Sequence, residues 1–167
     1  MSNVKEEIKK ISQHGVLINH NNIGLLIQGE SGIGKSECAS ELINRGAFLI
    51  SDDIVIIRKD NASLIGESPK ETKELIEIRG IGIINVREIY GSKSVMKQTQ
   101  IDLAIELIEF NDKHDYERLG YDRDFLQILG IDVPIMKIPV SPGRNLSTLI
   151  EIAIKKIKLE TSFIKNT

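Results

Sequence analysis

The chain has 167 residues and a formal net charge of −2, with 28% charged and 41% hydrophobic residues. Such values are typical of one soluble globular domain with a full core, and they give no general case for binding nucleic acid or an acidic membrane surface. The single cysteine cannot form an internal disulfide, which favours a reducing compartment. Because no apolar run reaches the roughly 18 residues that a membrane helix needs, a cytoplasmic protein is expected.

The two ends of the chain are predicted to lie outside the domain. Residues 1–13 are polar and charged, with a few apolar positions at helical spacing, and they predict a tail or a short helix. The domain is predicted over residues 14–159, and residues 160–167 are predicted as a C-terminal tail. Inside the domain, residues 14–18 and 23–28 read as strands, and so short a connection between them predicts antiparallel neighbours.

The second of these strands leads into a loop that fits G-x-x-x-x-G-K-[ST], the phosphate-binding loop of nucleotide-binding proteins. Glycines let the backbone aim its N–H groups at phosphate oxygens, the lysine can reach the β- and γ-phosphates, and the serine hydroxyl can ligate Mg²⁺. The loop residues are Gly29, Glu30, Ser31, Gly32, Ile33, Gly34, Lys35 and Ser36. A turn that only joined a strand to a helix would not require the lysine and the serine.

Residues 37–45 are predicted as the helix after this loop, which makes the loop an anion site at a helix N-terminus. One face of the helix is apolar, and Gly46 ends it. The apolar residues are Cys38, Ala39, Leu42 and Ile43. Since the cysteine lies on this face, core packing is favoured over a reactive thiol.

Two adjacent acids, Asp52 and Asp53, lie between predicted strands at 47–51 and 54–58. Acids are common in surface turns and at helix caps, which is the plain interpretation. The functional interpretation is a metal-positioning carboxylate and a base close to the γ-phosphate. The phosphate loop upstream favours the functional interpretation.

A second acidic position is Glu77, which shares one face of an extended stretch with Arg79. An acid that takes Mg²⁺ and an arginine that takes phosphate suit a nucleotide site, whereas the plain alternative is an exposed ion pair on a strand. Gly80 and Gly82 disfavour that alternative, because they weaken a regular strand and permit close approach of a ligand to the backbone.

The remaining elements are predicted from local patterns. A capping box at 68–71 predicts a short helix to about residue 74, and Pro134 places the apolar segment 133–138 at a sheet edge. Further predictions are a strand at 101–110, a polar loop at 111–115 and a tight loop at 140–145. A final helix is predicted from apolar residues at helical spacing, which are Leu146, Leu149, Ile150, Ala153, Ile154 and Ile157. Lysines near its expected C-terminal end would suit the helix dipole.

Four sequence blocks resemble the catalytic domain of the bacterial HPr kinase/phosphorylase, a serine kinase of the sugar phosphotransferase system. They are His14-Gly15-Val16, the phosphate loop through Glu37, the Asp52-Asp53 pair, and residues 75–86, which match the family's signature stretch. The resemblance covers about residues 14–158. It implies an α/β fold of the HPr kinase/PEP-carboxykinase-like P-loop type, with a mixed sheet, flanking helices and a long C-terminal helix.

The resemblance also implies roles for the matched residues. Lys35 would contact the phosphates of ATP, and Ser36 and Glu77 would hold Mg²⁺. Asp53 looks like the family's proton acceptor for the substrate serine, although sequence leaves open which of Asp52 and Asp53 is the base.

Three further residues carry implied roles by the same resemblance. Arg118 matches an active-site arginine that would neutralise charge on the transferring phosphoryl group, and His14 matches an active-site histidine. Arg144 lies in a Pro-Val-Ser-Pro-Gly-Arg-Asn loop that looks like the family's element for dephosphorylation, and it is expected to contact phosphate, as is Arg79. His20 and His114 match nothing and are expected in loops.

The partners implied by the resemblance are HPr or a similar phosphocarrier protein, inorganic phosphate or pyrophosphate, and further copies of the chain in a hexamer. No nucleic acid or membrane partner is expected. The usual family member carries an N-terminal domain that the match does not include. Two alternatives stay open, namely a P-loop kinase for a small molecule and a nucleotide-binding regulatory module without transferase chemistry. The acids at 52, 53 and 77 argue against the regulatory module, since a pure binder needs no base.

Overall fold

The computed structural model describes residues 7–110 and 124–165. Within them the chain forms a six-stranded sheet, a four-stranded sheet, a two-stranded hairpin and three α-helices. The strands are β1 (Lys10–His14), β2 (Val16–His20), β3 (Ile23–Gly29), β4 (Phe48–Ser51), β5 (Ile54–Asp60), β6 (Ser63–Glu67), β7 (Leu75–Ile78), β8 (Gly82–Asn85), β9 (Gln98–Gln100), β10 (Leu103–Glu109), β11 (Asp124–Ile128) and β12 (Ile131–Val140). The helices are α1 (Lys35–Asn44), α2 (Val86–Tyr90) and α3 (Leu146–Lys165). None of these helices is long and apolar enough to cross a membrane.

The six-stranded sheet positions the phosphate loop. Its strand order is β11-β12-β10-β3-β2-β4, with β3, β10 and β12 parallel at the centre. On one side β11 pairs antiparallel with β12, and on the other β2 pairs antiparallel with both β3 and β4. The loop leaves the C-terminal end of β3 and leads into α1. The mixed sheet with flanking helices and a long C-terminal helix is therefore confirmed.

Strand β3 is buried on both faces, which explains its near-continuous apolar run. Leu25 and Ile27 belong to the cluster that contains the buried faces of α1 and α3. Leu26 points the other way and belongs to the cluster that contains Val55 and Ile57 of β5, in the four-stranded sheet β1-β5-β6-β9. The strand that ends in the phosphate loop is thus fixed from both sides.

Several local predictions are confirmed. Strands β2 and β3 are antiparallel, and the Asn21-Asn22 turn between them has φ angles of 52° and 64°, typical of a tight hairpin. The helix predicted over 37–45 is α1, which begins at Lys35 and stops before Gly46. Burial raises the pKa of the Cys38 thiol to about 11, as expected for a cysteine that serves core packing.

The prediction of a tail or helix over residues 1–13 is wrong where the structure describes the chain. Lys10–His14 forms β1, which pairs antiparallel with β5 and ends at His14. Ile11 is half-buried between exposed neighbours, which is the alternation of a strand. Since the partner strand lies far along the chain, the helical spacing of a few apolar residues was a misleading local signal.

The helix predicted over 68–74 is also wrong. Only a single 3₁₀ turn forms, at Lys70–Thr72. The Ser68 hydroxyl donates a 2.8 Å hydrogen bond to the carbonyl of Pro69 and caps no helix, and Lys73 leaves the helical region at ψ 128°.

The predicted sheet edge at 133–138 is a third error, because β12 lies between β11 and β10. Pro134 precedes the first residue of β12 that pairs with β10, which is Ile135. Pro139 lies beyond the part of β12 that β11 flanks. Each proline therefore occupies a position where one neighbouring strand is not paired, and its missing N–H is tolerated there.

Helix α3 is longer than the sequence indicated. Its predicted apolar face is confirmed by buried Ile150, Ala153 and Ile154. The prediction of a tail over 160–167 is wrong for residues 160–165, because the helix continues to Lys165. The lysines around position 156 consequently lie within the helix and not at its C-terminal end.

His20 was predicted to lie in a loop, and the structure contradicts this prediction. It ends β2 in a buried position, with Nε2 3.4 Å from Glu151 Oε2 of α3. Arg45, directly after α1, forms an ion pair with the same glutamate. His114 lies outside the described residues.

Replacing Gly24 by alanine is expected to destabilise the protein by roughly 2 kcal/mol or more, since overpacked sites resist an added methyl group. The new Cβ would overlap the carbonyl oxygen of Gln100, and Gly24 also exchanges hydrogen bonds with Asp102 at 2.8 Å. Thermal unfolding should show a melting temperature lower by about 5 °C. Ser12→Ala in β1 is the control, because Ser12 is exposed. An unchanged melting temperature for Gly24→Ala would contradict the close packing of β3 against β9.

Candidate active site

The phosphate loop bends sharply between β3 and α1. Gly29, Gly32 and Gly34 adopt φ angles of 152°, 84° and 111°. At 84° and 111° a side chain would be strained, so the second and third glycines are required by the backbone itself. Lys35 curls back over the loop, and its Nζ donates to the carbonyl oxygens of Gly29 and Glu30 at 2.7 and 2.9 Å.

A cleft of about 720 Å³ opens in front of this loop. Its walls come from four places in the chain: the β1–β2 junction, the phosphate loop with the start of α1, the acid pair after β4, and the β7–β8 hairpin. The lining residues are His14, Gly15, Val16, Gly29, Ser31, Gly32, Gly34, Lys35, Ser36, Glu37, Asp52, Asp53, Glu77, Ile78, Arg79, Gly80 and Gly82. Glu30 and Ile33 of the loop are not among them.

Asp52 is held firmly on the inner side of the cleft. It is 8% exposed, and both carboxylate oxygens accept hydrogen bonds. The Ser36 hydroxyl donates to Oδ1 at 2.7 Å, and the backbone N–H of Glu77 donates to Oδ2 at 2.9 Å. Burial raises the pKa of this carboxyl, and the two hydrogen bonds oppose that rise. Asp52 therefore ties α1 to the β7–β8 hairpin.

Asp53 is placed differently from its neighbour. Its side chain is 80% exposed and lies in the cleft, where Oδ1 is 3.9 Å from His14 Nδ1. The residue adopts a positive φ of 69°, and its carbonyl accepts a 2.9 Å hydrogen bond from the N–H of Gly15. This left-handed conformation turns two consecutive acids in different directions, one inward and one toward the cleft.

The β7–β8 hairpin supplies the opposite wall. Glu77 and Arg79 both line the cleft and are exposed. A Cβ added to Gly32 would lie only 2.6 Å from Arg79 Nη2, so the guanidinium rests directly on the phosphate loop. The backbone N–H of Arg79 also donates to the Glu37 carboxylate at 3.4 Å.

One predicted site residue outside the phosphate loop lies elsewhere. Arg144 does not line this cleft; it lines a neighbouring depression of about 470 Å³, on which Gly34 and Glu37 also border. Arg118 lies outside the described residues.

Among the lining residues to which the sequence analysis gave no role, two make contacts that hold the site together. Glu37 directly follows the loop serine, and its carboxylate reaches the hairpin. Gly15 fixes Asp53 through its backbone N–H, and a Cβ there would lie 2.9 Å from the carbonyl oxygen of Ile27. The signal available in the sequence was that Glu37 directly follows Ser36 and Gly15 directly follows His14.

The residues around Ser36 fit a magnesium ion. Because the Ser36 hydroxyl donates its proton to Asp52, its oxygen lone pairs are free for a cation. The Glu77 carboxylate faces the same cleft, and its backbone is fixed by Asp52. Mg²⁺ is typically held by one or two protein oxygens together with substrate phosphates and water, which matches this donor set.

Comparison with known proteins gives matches over most of the chain. Residues 6–167 match the family model for the HPr Serine kinase C-terminal domain. An HPr kinase/phosphorylase from Clostridium botulinum is 51% identical over 140 residues, which are 84% of this chain and 46% of that protein. One from Caldicellulosiruptor bescii is 48% identical over 145 residues, which are 86% of this chain and 47% of that protein.

A solved structure, the Hpr(Ser) kinase/phosphatase from Coxiella burnetii, is also similar. It has a TM-score of 0.86 and 34% sequence identity, covering 93% of this chain and 95% of that one. The chain spans about half the length of the curated relatives it matches. On this match and this likeness in structure, the chain belongs to the HPr Serine kinase C-terminal domain family.

Proposed function

We propose that this chain transfers the γ-phosphoryl group of ATP to a serine of HPr or of a similar phosphocarrier protein. One observation carries the proposal: a single cleft contains both the phosphate loop and a solvent-facing carboxylate, that of Asp53. A nucleotide-binding module would need only the loop. The names of the relatives, HPr kinase/phosphorylase, support HPr as the acceptor.

The loop and the hairpin bind the nucleotide. Backbone N–H groups of the loop face the phosphates at the N-terminus of α1, where the helix dipole favours negative charge. Lys35 exchanges its contacts with the loop carbonyls for phosphate oxygens, and Arg79, which rests on Gly32, contacts the phosphates from the other side.

Ser36 and Glu77 would hold Mg²⁺, and Asp52 positions both of them through its two hydrogen bonds. Such an ion would supply positive charge beside the phosphates during transfer. Asp52 is buried and fully engaged in hydrogen bonds, so it is a positioning residue in this scheme and not the base.

Asp53 acts as the base. Its carboxylate accepts the proton of the serine hydroxyl while the serine oxygen forms a bond to the γ-phosphorus and the bond to the ADP oxygen breaks. His14, whose Nδ1 lies 3.9 Å from Asp53 Oδ1, borders this carboxylate in the cleft. The resemblance to the family gives Arg118 the role of neutralising charge on the transferring group, and Arg144 a role in the reverse reaction.

The same groups support the reverse reaction with inorganic phosphate. A phosphate oxygen attacks the phosphoserine, Asp53 returns its proton to the departing serine oxygen, and pyrophosphate is the product. The word phosphorylase in the names of the relatives favours this second activity. The family resemblance also favours a homo-oligomer, a hexamer, as the active assembly.

Incubating the chain with γ-labelled ATP, magnesium and HPr tests this function directly. Label should appear on a serine of HPr, and an HPr variant with alanine at that serine should remain unlabelled. Label found only in small molecules would instead favour the small-molecule kinase. Tight ATP binding without any transfer would favour the regulatory module. Adding excess inorganic phosphate to labelled HPr should release labelled pyrophosphate if the reverse activity is present.

A further inference from the structure

The β7–β8 hairpin has two unlike faces. The cross-strand pair Ile76 and Ile84 faces the core, where Ile76 is 1% exposed and Ile84 packs against the main cluster. Glu77 and Ile83 form the next pair and lie on the opposite face, because neighbouring positions of a strand alternate. Glu77 lines the cleft, so Ile83 extends the same surface outward from the cleft.

This outer face is unusually apolar for a position in contact with water. Ile83 is 68% exposed, and Ile81, in the turn of the hairpin, is 75% exposed. The residues on either side of Ile81, Gly80 and Gly82, both line the cleft. Single exposed aliphatic side chains are common on proteins, but here two of them are two residues apart in a hairpin that forms one wall of the cleft.

We propose that Ile81 and Ile83 form the docking surface for the protein that accepts the phosphoryl group, and that they contact an apolar patch beside its serine. This inference rests on the proposed function and specifies where the partner binds. The phosphates of the nucleotide do not account for the two isoleucines, since phosphates require hydrogen-bond donors and an aliphatic side chain has none. Contact of the isoleucines with the adenine ring would instead appear as weaker ATP binding in the test below.

The position of the hairpin favours a protein acceptor over other occupants. An acceptor hydroxyl must reach Asp53 inside the cleft, so the surface around that hydroxyl has to lie against the rim of the cleft. At this rim the hairpin offers the glycines on both sides of Ile81, which allow close approach, and two aliphatic side chains. Apolar contacts at the centre of such an interface carry much of the binding free energy.

The test compares the unaltered chain with the double variant Ile81→Ser/Ile83→Ser in a steady-state assay with HPr and ATP. The KM for HPr should rise about tenfold, because two apolar contacts are lost at the centre of the interface. The dissociation constant for ATP, measured in the absence of HPr, should not change. The matched control is Ile8→Ser/Ile152→Ser, which alters two isoleucines that are 64% and 57% exposed and do not line the cleft. This control should keep the KM of the unaltered chain.

Three results would overturn parts of the argument, and they are distinguishable. If the unaltered chain labels HPr and the double variant has the same KM for HPr, docking at the hairpin is refuted but the proposed function is not. A smaller particle in light scattering for the double variant would assign the surface to a second copy of the chain. Failure of the unaltered chain to label HPr would refute the proposed function and, with it, the docking. If the double variant does not fold, Ile81→Ser alone applies the same test in the turn.

Discussion

Asp53→Asn is expected to lower the rate of phosphoryl transfer by about a thousandfold while nucleotide affinity stays the same. Asparagine keeps the size of the side chain but cannot accept the serine proton at neutral pH. The carboxylate it replaces is 80% exposed in the cleft, so its removal should leave the fold unchanged. Single-turnover transfer to HPr and equilibrium binding of ATP measure the two quantities separately.

Asp60→Asn is the control for this variant, because Asp60 is an exposed acid at the far end of β5. It should transfer phosphate at the rate of the unaltered chain. If Asp53→Asn instead lost ATP binding and kept the rate of transfer on bound nucleotide, Asp53 would belong with the metal-holding groups. The base would then have to be sought elsewhere in the cleft.

Lys35→Ala is expected to reduce kcat/KM for ATP by at least about a thousandfold, since a charged donor at the transferring phosphate contributes to both binding and transition-state stabilisation. The lysine is also the only charged side chain that reaches the carbonyls of Gly29 and Glu30 among the described residues. Its loss should therefore also loosen the loop in the free protein. Initial rates over a range of ATP concentrations, together with a melting curve, give both effects.

Lys97→Ala provides the comparison, because Lys97 is exposed and lies outside the cleft. Its kcat/KM should match that of the unaltered chain. Normal kinetics in Lys35→Ala would show that the loop is not the nucleotide site. A melting temperature far below that of the unaltered chain would mean that the loss of activity reflects folding.

The parts of the fold that were predictable from sequence are those in which local pattern and tertiary environment agree. Strand β3 is a continuous apolar run because it is buried on both faces, and α1 and α3 show their buried faces at helical spacing. The wrong predictions concern strands whose pairing partners lie far away in the sequence. Strand β1 exists because β5 accepts it, and β12 tolerates two prolines because its neighbours pair with different parts of it.

The candidate site shows the same division. The phosphate loop is contiguous, so its pattern is legible from the sequence alone. The hydrogen bonds of Asp52 to Ser36 and to the backbone of Glu77 join three separate segments, and no local pattern indicates them. The distinction between Asp52 and Asp53 was likewise invisible in sequence, because it depends on the positive φ of Asp53.

Strand β1 connects the start of the described chain to the cleft. A polypeptide joined ahead of Lys10 is separated from His14 by one strand of five residues, roughly 14 Å in extended form. Strand β5 pairs with this strand over its whole length, from Lys10 to His14. Because His14 pairs with Ile54, this ladder fixes the backbone on both sides of the contact between His14 and Asp53.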